Sequence, residues 1–232
     1  MTLSMAIPGG VDGETGEADA DAFMADATVN FGFPKAGLFR FPGAEHMGQV
    51  TVADIGIPER LSAGIRQEVV TQTWSQAHVP ARPLSAHKGT FGRVLALVGS
   101  RNYVGAAYLA CMGAARSGSG YVTLAATPSL QALVASKLTE PTYLLLPSDH
   151  DGYPTAEGAS AVRDASLHYD VLLAGCGLGQ HDGTNALLEQ ILLSDTPLSI
   201  PVVLDADALN TLAGIPAWSS RLQSTTVVTP HP

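Results

Sequence analysis

One stretch, residues 87–126, constrains the fold of this chain more than any other. It contains a five-residue apolar run at 94–98, closed by Gly99, and then an alanine-rich segment at 105–116 without proline. An apolar run this short is typical of a strand buried on both faces of a parallel sheet. Because a second apolar run follows at 121–125, the stretch predicts a strand, a helix and a second, parallel strand.

Composition limits the partners that the chain can have. Of its 232 residues, 46% are hydrophobic, which is ample for a core. The net charge is −9, and the 12 lysines and arginines are scattered singly, so nucleic acid and an anionic membrane surface are not expected partners. Cys111 and Cys176 form neither a CxxC pair nor a disulfide framework, and no apolar run is long enough to span a membrane, which together predict a cytoplasmic protein.

Strands and helices keep alternating after residue 126. This pattern predicts an α/β fold with a doubly wound, mostly parallel sheet. Ser129 is the expected N-cap of the first of these helices. The predicted helices are 129–137, 155–166, 184–193 and 208–213, and the predicted strands are 143–146, 170–174, 202–204 and 225–229.

The first 58 residues differ from the rest. They offer two short strands, 28–31 and 49–54, separated at 31–48 by two prolines and four glycines, where we expect no regular structure. Residues 59–84 are expected to be a linker or a short covering helix. Two or three strands bury too little surface to fold alone, so we expect the chain to begin inside one domain and to end inside another.

Four polar or glycine-rich clusters follow predicted strands, and the carboxyl ends of parallel strands share one edge of a sheet. We therefore expect the clusters to converge on one crevice. They are residues 99–106, 175–179, 205–210 and 229–231.

Each of these clusters has a functional and a structural interpretation. The Gly-Cys-Gly-Leu-Gly loop would let a ligand approach the backbone, or would simply make a tight turn. Asp205 and Asp207 would contact a ligand hydroxyl or a metal, or one would cap the next helix while the other is solvated. His231 would exchange protons near a ligand, or lie on the surface. Lys88 would neutralise an anion, or be solvated.

Five segments occur in a characteristic order and spacing: HKGTFGRVLALVGS, VGAAYLACMGAARSGSGYVTLA, GCGLG, VVLDADALN and TVVTPHP. Together they closely resemble the carbohydrate-kinase-like domain of the YjeF family, the ADP/ATP-dependent NAD(P)H-hydrate dehydratase. Upstream, AIPGGVDGETG and FGFPKAGLFRFPGAEHMGQVTVADIGIP are similar to the final third of the family's other domain, the NAD(P)H-hydrate epimerase.

The resemblance implies a fold and a domain organisation. Residues 85–232 would be the N-terminal part of a ribokinase-like dehydratase domain. Residues 1–58 would be the C-terminal end of a Rossmann-like epimerase domain, and residues 59–84 would link the two.

The resemblance also implies an activity: nicotinamide nucleotide repair, in which the S form of hydrated NADH or NADPH loses water with ADP or ATP and Mg²⁺. K⁺ would be a cofactor of the epimerase domain. The protein could also form a homo-oligomer, which the sequence does not decide. Two alternatives remain, a kinase of a hydroxymethyl or hydroxyethyl compound on the same fold, and an inactive dinucleotide-binding piece.

Site residues follow from the matched motifs. The family's catalytic aspartate belongs to a Gly-Thr-Gly-Asp motif that this sequence lacks, so we expect no catalytic residue here and leave the metal ligands unassigned. Ala6 and Gly9 stand where the epimerase pattern Asp-Ile-Pro-Ser-Gly has aspartate and serine, which implies a weak epimerase. The expected substrate-binding residues are Gly105, Ala106, Gly175, Gly177, Gly179, Asp207, Asn210 and His231.

Overall fold

The structure is a computed structural model that describes residues 1–231, and Pro232 of the predicted 85–232 segment lies outside the described residues. The chain divides into two compact units. The first is Met1–Ala81, and the second begins at Arg82. This division falls inside the segment 59–84 that we expected to link two domains. No helix in residues 1–231 is long and apolar enough to cross a membrane.

The first unit contains a small parallel sheet. Its strands β1 (Leu3–Met5), β2 (Ala27–Phe31) and β3 (Gln49–Ala53) lie in the order β1-β2-β3. Strand β1 was not predicted, because three residues of mixed polarity give no readable period. The expectation of no regular structure at 31–48 was wrong, since that segment forms two short 3-10 helices, Ala36–Phe39 and Gly43–Glu45.

The segment after β3 carries one further 3-10 helix, Glu59–Leu61, and one α-helix, α1 (Gln72–His78). The hydroxyl oxygen of Thr71 caps α1 by accepting a hydrogen bond from the Trp74 N–H at 3.1 Å. This is the short helix that the sequence allowed for in residues 59–84.

The second unit is built on six strands. They are β4 (Arg93–Leu97), β5 (Tyr121–Ala126), β6 (Thr142–Leu145), β7 (Val171–Ala174), β8 (Val202–Asp205) and β9 (Thr226–Thr229). All neighbouring strands are parallel, in the order β6-β5-β4-β7-β8-β9. Counted from the first strand of the unit, this is 3-2-1-4-5-6, a doubly wound order whose direction reverses between β4 and β7. The predicted parallel sheet is confirmed.

Helices connect these strands, and two of the predicted details need correction. Ser129 does not cap the helix predicted at 129–137; that helix begins at Pro128, and the Thr127 hydroxyl accepts the Leu130 N–H at 3.4 Å. The helix predicted at 208–213 begins two residues earlier, at Ala206, which places Asp207 within its first turn. The helices are α2 (Val104–Ser117), α3 (Pro128–Val134), α4 (Ala159–Ser166), α5 (Asp182–Leu192), α6 (Ala206–Ala213) and α7 (Trp218–Arg221), and 3-10 helices form at Lys88–Phe91 and Ala156–Gly158.

The core of the second unit lies on both faces of its sheet. Alternate residues of a strand point to opposite faces, and in β4 both sets are buried. Leu95 and Leu97 pack in the cluster that includes α4, α5 and α6, whereas Ala96 packs in the cluster that includes α2 and α3. The prediction that this strand is buried on both faces is confirmed.

Candidate active site

Two loops meet at the point where the strand order reverses. They follow β4 and β7, the two central strands. The Gly175 N–H donates to the Leu97 carbonyl at 3.1 Å, and the Gly99 N–H donates to the Cys176 carbonyl at 2.7 Å. These backbone bonds hold the two loops together, and the crevice outside such a reversal is where open α/β sheets bind ligands.

The glycine loop, residues 175–179, packs too closely for side chains. Gly177 has φ +66°, and a Cβ there would lie 2.5 Å from the Cβ of Ala106 and 2.8 Å from that of Tyr103. Gly175 has φ +126°, and a Cβ there would lie 1.8 Å from the Asp205 carbonyl oxygen. Glycine is therefore required for the tight turn and for the contact with the first turn of α2.

The first turn of α2 has features of an anion site. Its N-cap residue, Tyr103, makes no side-chain capping bond, although the first N–H groups of a helix carry partial positive charge. Ser100, just before the helix, is 2% exposed, and its hydroxyl has no hydrogen-bond partner within the described residues. Gly105 lies in this turn with nothing within 4 Å of a Cβ position. The backbone at this turn is therefore open to a bound anion.

Asp207 ties the glycine loop to α6. Its Oδ2 accepts the Gly179 N–H at 2.8 Å, and its Oδ1 is 3.4 Å from the amide nitrogens of Gln180 and Asn210. The carboxylate lies in the first turn of the helix, where negative charge is favourable. Asp207 is thus not the helix cap, and its half-buried side chain holds the end of the loop that lines the crevice.

Asp205 is held by two neighbours, one on each side in the sheet. Its Oδ1 accepts from the Thr229 hydroxyl at 2.8 Å, and its Oδ2 accepts from the Cys176 thiol at 3.2 Å. Burial alone would raise the pKa of Asp205, but the hydrogen bonds from Cys176 and Thr229 and the nearby His231 bring that pKa below its usual value. Asp205 occupies the N-cap position of α6 but makes no side-chain capping bond.

Cys176 acts as a hydrogen-bond donor at this site. Burial, followed by the hydrogen bond to Asp205, raises the pKa of its thiol to about 11. A protonated thiol is a poor nucleophile, so Cys176 is not placed for covalent chemistry.

The structure brings most of the predicted residues to one edge of the sheet. Thr229 lies opposite Asp205 in the register of β8 and β9, so His231, an exposed residue, follows close to the Asp205 carboxylate. Asp207 and Asn210 stand on α6, and the glycine loop spans the distance to α2.

Sequence reasoning missed one wall of the crevice, a hairpin at residues 148–154. The Asn102 amide donates to the Tyr153 hydroxyl at 2.7 Å, and the Tyr153 ring stacks on His181 with centroids 4.5 Å apart. The Asp149 carboxylate lies 3.5 Å from His181 Nδ1. The Tyr153 ring also lies 3.4 Å from a Cβ position on Gly179. The turn residues around Gly152 could have indicated the hairpin, but not its partners, which lie 26 to 51 positions away in the sequence.

A metal has no evident protein ligands in this crevice. No group of three or more histidines, cysteines, aspartates or glutamates suited to a metal ion occurs in residues 1–231. The carboxylate oxygens of Asp205 and Asp207 already accept hydrogen bonds from the protein.

Comparison with known proteins identifies relatives for the whole chain. A family model described as NAD(P)H-hydrate dehydratase matches residues 94–232. The chain is 36% identical over 233 residues to the bifunctional NAD(P)H-hydrate repair enzyme Nnr of Moorella thermoacetica, and 32% identical over 231 residues to that of Thermofilum pendens. Each match covers 100% of this chain and 43% of the relative, so the chain spans less than half the length of these relatives.

Solved structures show the same fold. The ADP/ATP-dependent NAD(P)H-hydrate dehydratase of Bacillus subtilis, co-crystallized with ATP/Mg²⁺, matches with a TM-score of 0.51 and 32% identity, over 70% of this chain and 51% of that one. A ribokinase-like superfamily protein of Enterococcus faecalis matches with a TM-score of 0.52 and 22% identity, over 65% of this chain and 49% of that one. The predicted ribokinase-like α/β fold is confirmed.

Proposed function

The chain belongs to the NAD(P)H-hydrate dehydratase family, and on that premise we propose that it forms the substrate side of an ADP- or ATP-dependent repair enzyme. The enzyme removes water from the S form of hydrated NADH or NADPH and so restores the reduced cofactor. The first unit derives, on the same proposal, from a K⁺-dependent epimerase domain at residues 1–58. That domain has weak activity because Ala6 supplies no carboxylate. The protein works in the cytoplasm.

One observation carries the proposal: the glycine loop lies against the uncapped start of α2. A dinucleotide has two phosphates and two riboses, and it needs backbone N–H groups and close approach rather than large side chains. Gly177 packs directly on Ala106, and the unpartnered Ser100 hydroxyl lies at the same end of the sheet. These groups suit the diphosphate of the hydrated cofactor.

The remaining predicted residues have supporting roles in this proposal. Asp207 and Asn210 keep the end of the glycine loop in place, because Asp207 holds the Gly179 N–H. His231 follows β9 at the same edge and offers ring nitrogens to the substrate. The chemical step itself needs an aspartate that this sequence does not contain, so residues 1–232 alone should bind the dinucleotide without converting it.

The nucleotide and Mg²⁺ are proposed by analogy with the Bacillus subtilis dehydratase, which was crystallized with both. The described residues do not form a magnesium site, since the carboxylates nearest the crevice are already engaged. Mg²⁺ usually binds through phosphates and waters with only one or two carboxylates. We therefore expect Mg²⁺ to bind with the nucleotide rather than at a separate protein site.

The test is turnover of the S form of hydrated NADPH by the full-length protein with ADP or ATP and Mg²⁺, followed by NADPH absorbance. The variant Gly177→Ala forces the glycine loop away from Ala106, and we expect kcat/KM to fall by a factor of about ten or more. Gly113→Ala is the matched control, because a Cβ at this exposed helical position meets nothing within 4 Å.

Three outcomes of this assay distinguish the dehydratase proposal from the kinase alternative. Regeneration of NADPH that Gly177→Ala impairs and Gly113→Ala does not would support the proposal. No regeneration by the full-length protein would remove it. Stable, net phosphorylation of a hydroxymethyl or hydroxyethyl compound instead would favour the kinase alternative on the same fold.

A further inference from the structure

A second cavity lies at the opposite edge of the six-stranded sheet. Its volume is about 460 Å³, within the usual range for small-molecule sites. Arg93 and Tyr121 are the first residues of β4 and β5, whereas the crevice described above lies beyond the last residues. Strands of this length separate the two edges by roughly 15 Å. The cavity is lined by His87, Lys88, Gly89, Arg93, Tyr121, His168 and Tyr169.

Positive charge is concentrated here in a chain whose net charge is −9. Lys88 and Arg93 supply two basic side chains, and His87 and His168 add two ring nitrogens each. No described lining residue is acidic, and no ion pair found in residues 1–231 involves either cation. The nearest carboxylate in sequence, Asp170, accepts the Arg93 backbone N–H at 2.7 Å. The Arg93 Nη1 donates to the His168 carbonyl at 3.2 Å, which leaves the other guanidinium N–H groups and the Lys88 ammonium available to an anion.

The segment that carries Lys88 is held in a fixed position. The His87 ring nitrogen Nδ1 accepts the Gly89 N–H at 3.1 Å, and the Thr90 hydroxyl accepts the His87 N–H at 3.2 Å. A Cβ on Gly120 would lie 1.6 Å from the Lys88 carbonyl oxygen, so this backbone packs directly on the start of β5. Since Nδ1 accepts a hydrogen bond, neutral His87 carries its proton on Nε2 and can donate to a ligand.

Aromatic rings form the rest of the lining. The Lys88 ammonium lies 5.5 Å from the centre of the Tyr121 ring, and both tyrosines that line the cavity are half-buried. The Tyr169 hydroxyl donates to the Thr123 hydroxyl at 2.6 Å, which fixes that ring. Half-buried aromatic rings beside cations, one of them fixed, suit a ligand that has a flat apolar body and a compact anionic end.

We propose that this cavity binds a phosphate monoester that carries a planar ring. The phosphate lies among Lys88, Arg93 and the Nε2–H of His87, and the ring packs against Tyr121 and Tyr169. This site is separate from the crevice at the switch point, and its existence does not depend on the dehydratase proposal.

The experiment is calorimetric titration of the 232-residue chain with phenyl phosphate, inorganic phosphate and phenol. We expect saturable binding of phenyl phosphate, about ten-fold or more tighter than that of inorganic phosphate, and weaker binding of phenol than of either. Lys88→Gln should weaken phenyl phosphate binding by a factor of about ten, and Lys88→Arg should retain most of it. Lys137→Gln is the matched control, because it removes an equal charge at an exposed position outside the cavity.

The outcomes separate the proposal from its alternatives. Absence of saturable phenyl phosphate binding to a chain with a normal circular dichroism spectrum would overturn the proposal. Equal weakening by Lys88→Gln and Lys137→Gln would mean diffuse charge attraction and would also overturn it. Equal affinity for phenyl phosphate and inorganic phosphate would refute the role of the rings. Loss of binding in a Lys88→Gln chain that melts like the original would support it.

Discussion

The two sheets of this chain are both parallel, but very different side chains cover them. In the six-stranded sheet, Leu95 and Leu97 of β4 are at most 1% exposed. In the three-stranded sheet, Val52 of β3 is 41% exposed, and β1 buries one residue, the polar Ser4. Parallel strands normally need apolar cover on both faces. The same strand geometry can therefore coexist with very unequal apolar burial in one chain.

Polar contacts replace apolar packing in the first unit. Thr28 and Asn30 of β2 are fully buried, and they bond through their side chains to loop carbonyls of Met47 and Ala6. In the second unit, most positions of this kind hold leucine, valine or alanine. The net contribution of one hydrogen bond to the stability of a fold is about 1 kcal/mol, whereas burial of a leucine side chain contributes about 2 to 3 kcal/mol. The unit with the candidate active site is thus the one with the stronger core.

The largest expected difference between the units is in their resistance to protease. Of the hydrophobic side chains other than proline that the structure shows as buried, Val11, Ala25 and Leu38 belong to the first unit and all others to the second. We therefore expect limited proteolysis of the 232-residue chain to cleave the first unit before the second. Mass spectrometry of the first fragments measures this order. Simultaneous loss of both units would mean that they unfold as one and that the comparison fails.

Truncation of one side chain in each sheet should give the next largest effect. Leu172 in β7 is fully buried, and Leu172→Ala should lower the free energy of unfolding by about 2 to 5 kcal/mol. Val52→Ala in β3 should cost about 0.5 kcal/mol or less, since that side chain is largely exposed. Urea denaturation of both variants tests the contrast, and similar losses would show that the small sheet is better packed than its exposure indicates.

The apolar pattern was enough to predict the large sheet but not the small one. The run at 94–98 is uniformly apolar because both faces of β4 are covered, so its burial can be read from the residues alone. Strand β1 carries a methionine 68% exposed and a buried serine, which is the reverse of the usual pattern. It forms because β2 lies beside it, and a pairing of residues more than 20 positions apart leaves no local signal.

The part of the candidate site that lies at the ends of the strands was predictable from the sequence. The wall formed by the hairpin at residues 148–154 was not. The glycines of 175–179 are required by local backbone geometry, which leaves a trace in the residue types. The contact of Tyr153 with Asn102 depends on a hairpin that docks from a different part of the chain. The start of α6 was misplaced because Ala206 has φ +43°, a conformation that alanine rarely adopts and that its identity does not indicate.

That backbone feature provides the third test, because each unit has an alanine at positive φ. Ala6 has φ +67° directly after β1, and Ala206 has φ +43° between Asp205 and Asp207. Replacement by glycine should stabilise each unit by about 0.5 to 1 kcal/mol, because relief of the backbone strain, about 1 to 2 kcal/mol, exceeds the cost of the higher entropy that glycine gives the unfolded chain. Only Ala206→Gly should also weaken dinucleotide binding, because it frees the two aspartates. Thermal melts and binding titrations separate the effects, and unchanged binding in Ala206→Gly would show that the strain has no role in the site.

The smallest expected effect concerns one carboxylate in each unit, Asp12 in the first and Asp205 in the second. The pKa of each is lowered, but by different hydrogen-bond donors. The pKa of Asp12 is lowered first by the Thr15 backbone N–H, with the Glu14 N–H and the Thr15 hydroxyl contributing less. For Asp205, burial opposes the shift, and side-chain donors from Cys176 and Thr229 overcome it.

A carboxylate with a depressed folded-state pKa stabilises the fold above its unfolded pKa of about 3.9, and this contribution is lost as the pH falls through the folded value. Thr229→Val removes one of the two side-chain donors to Asp205, so we expect the pKa of Asp205 to rise, its contribution to stability to become smaller, and the loss of that contribution to be complete at a higher pH. Thr15→Val leaves both backbone donors to Asp12 in place, so its pKa should rise less. Carboxyl carbon NMR titration of the two variants measures both shifts directly, and a larger shift at Asp12 would show that backbone donors do not dominate in the first unit.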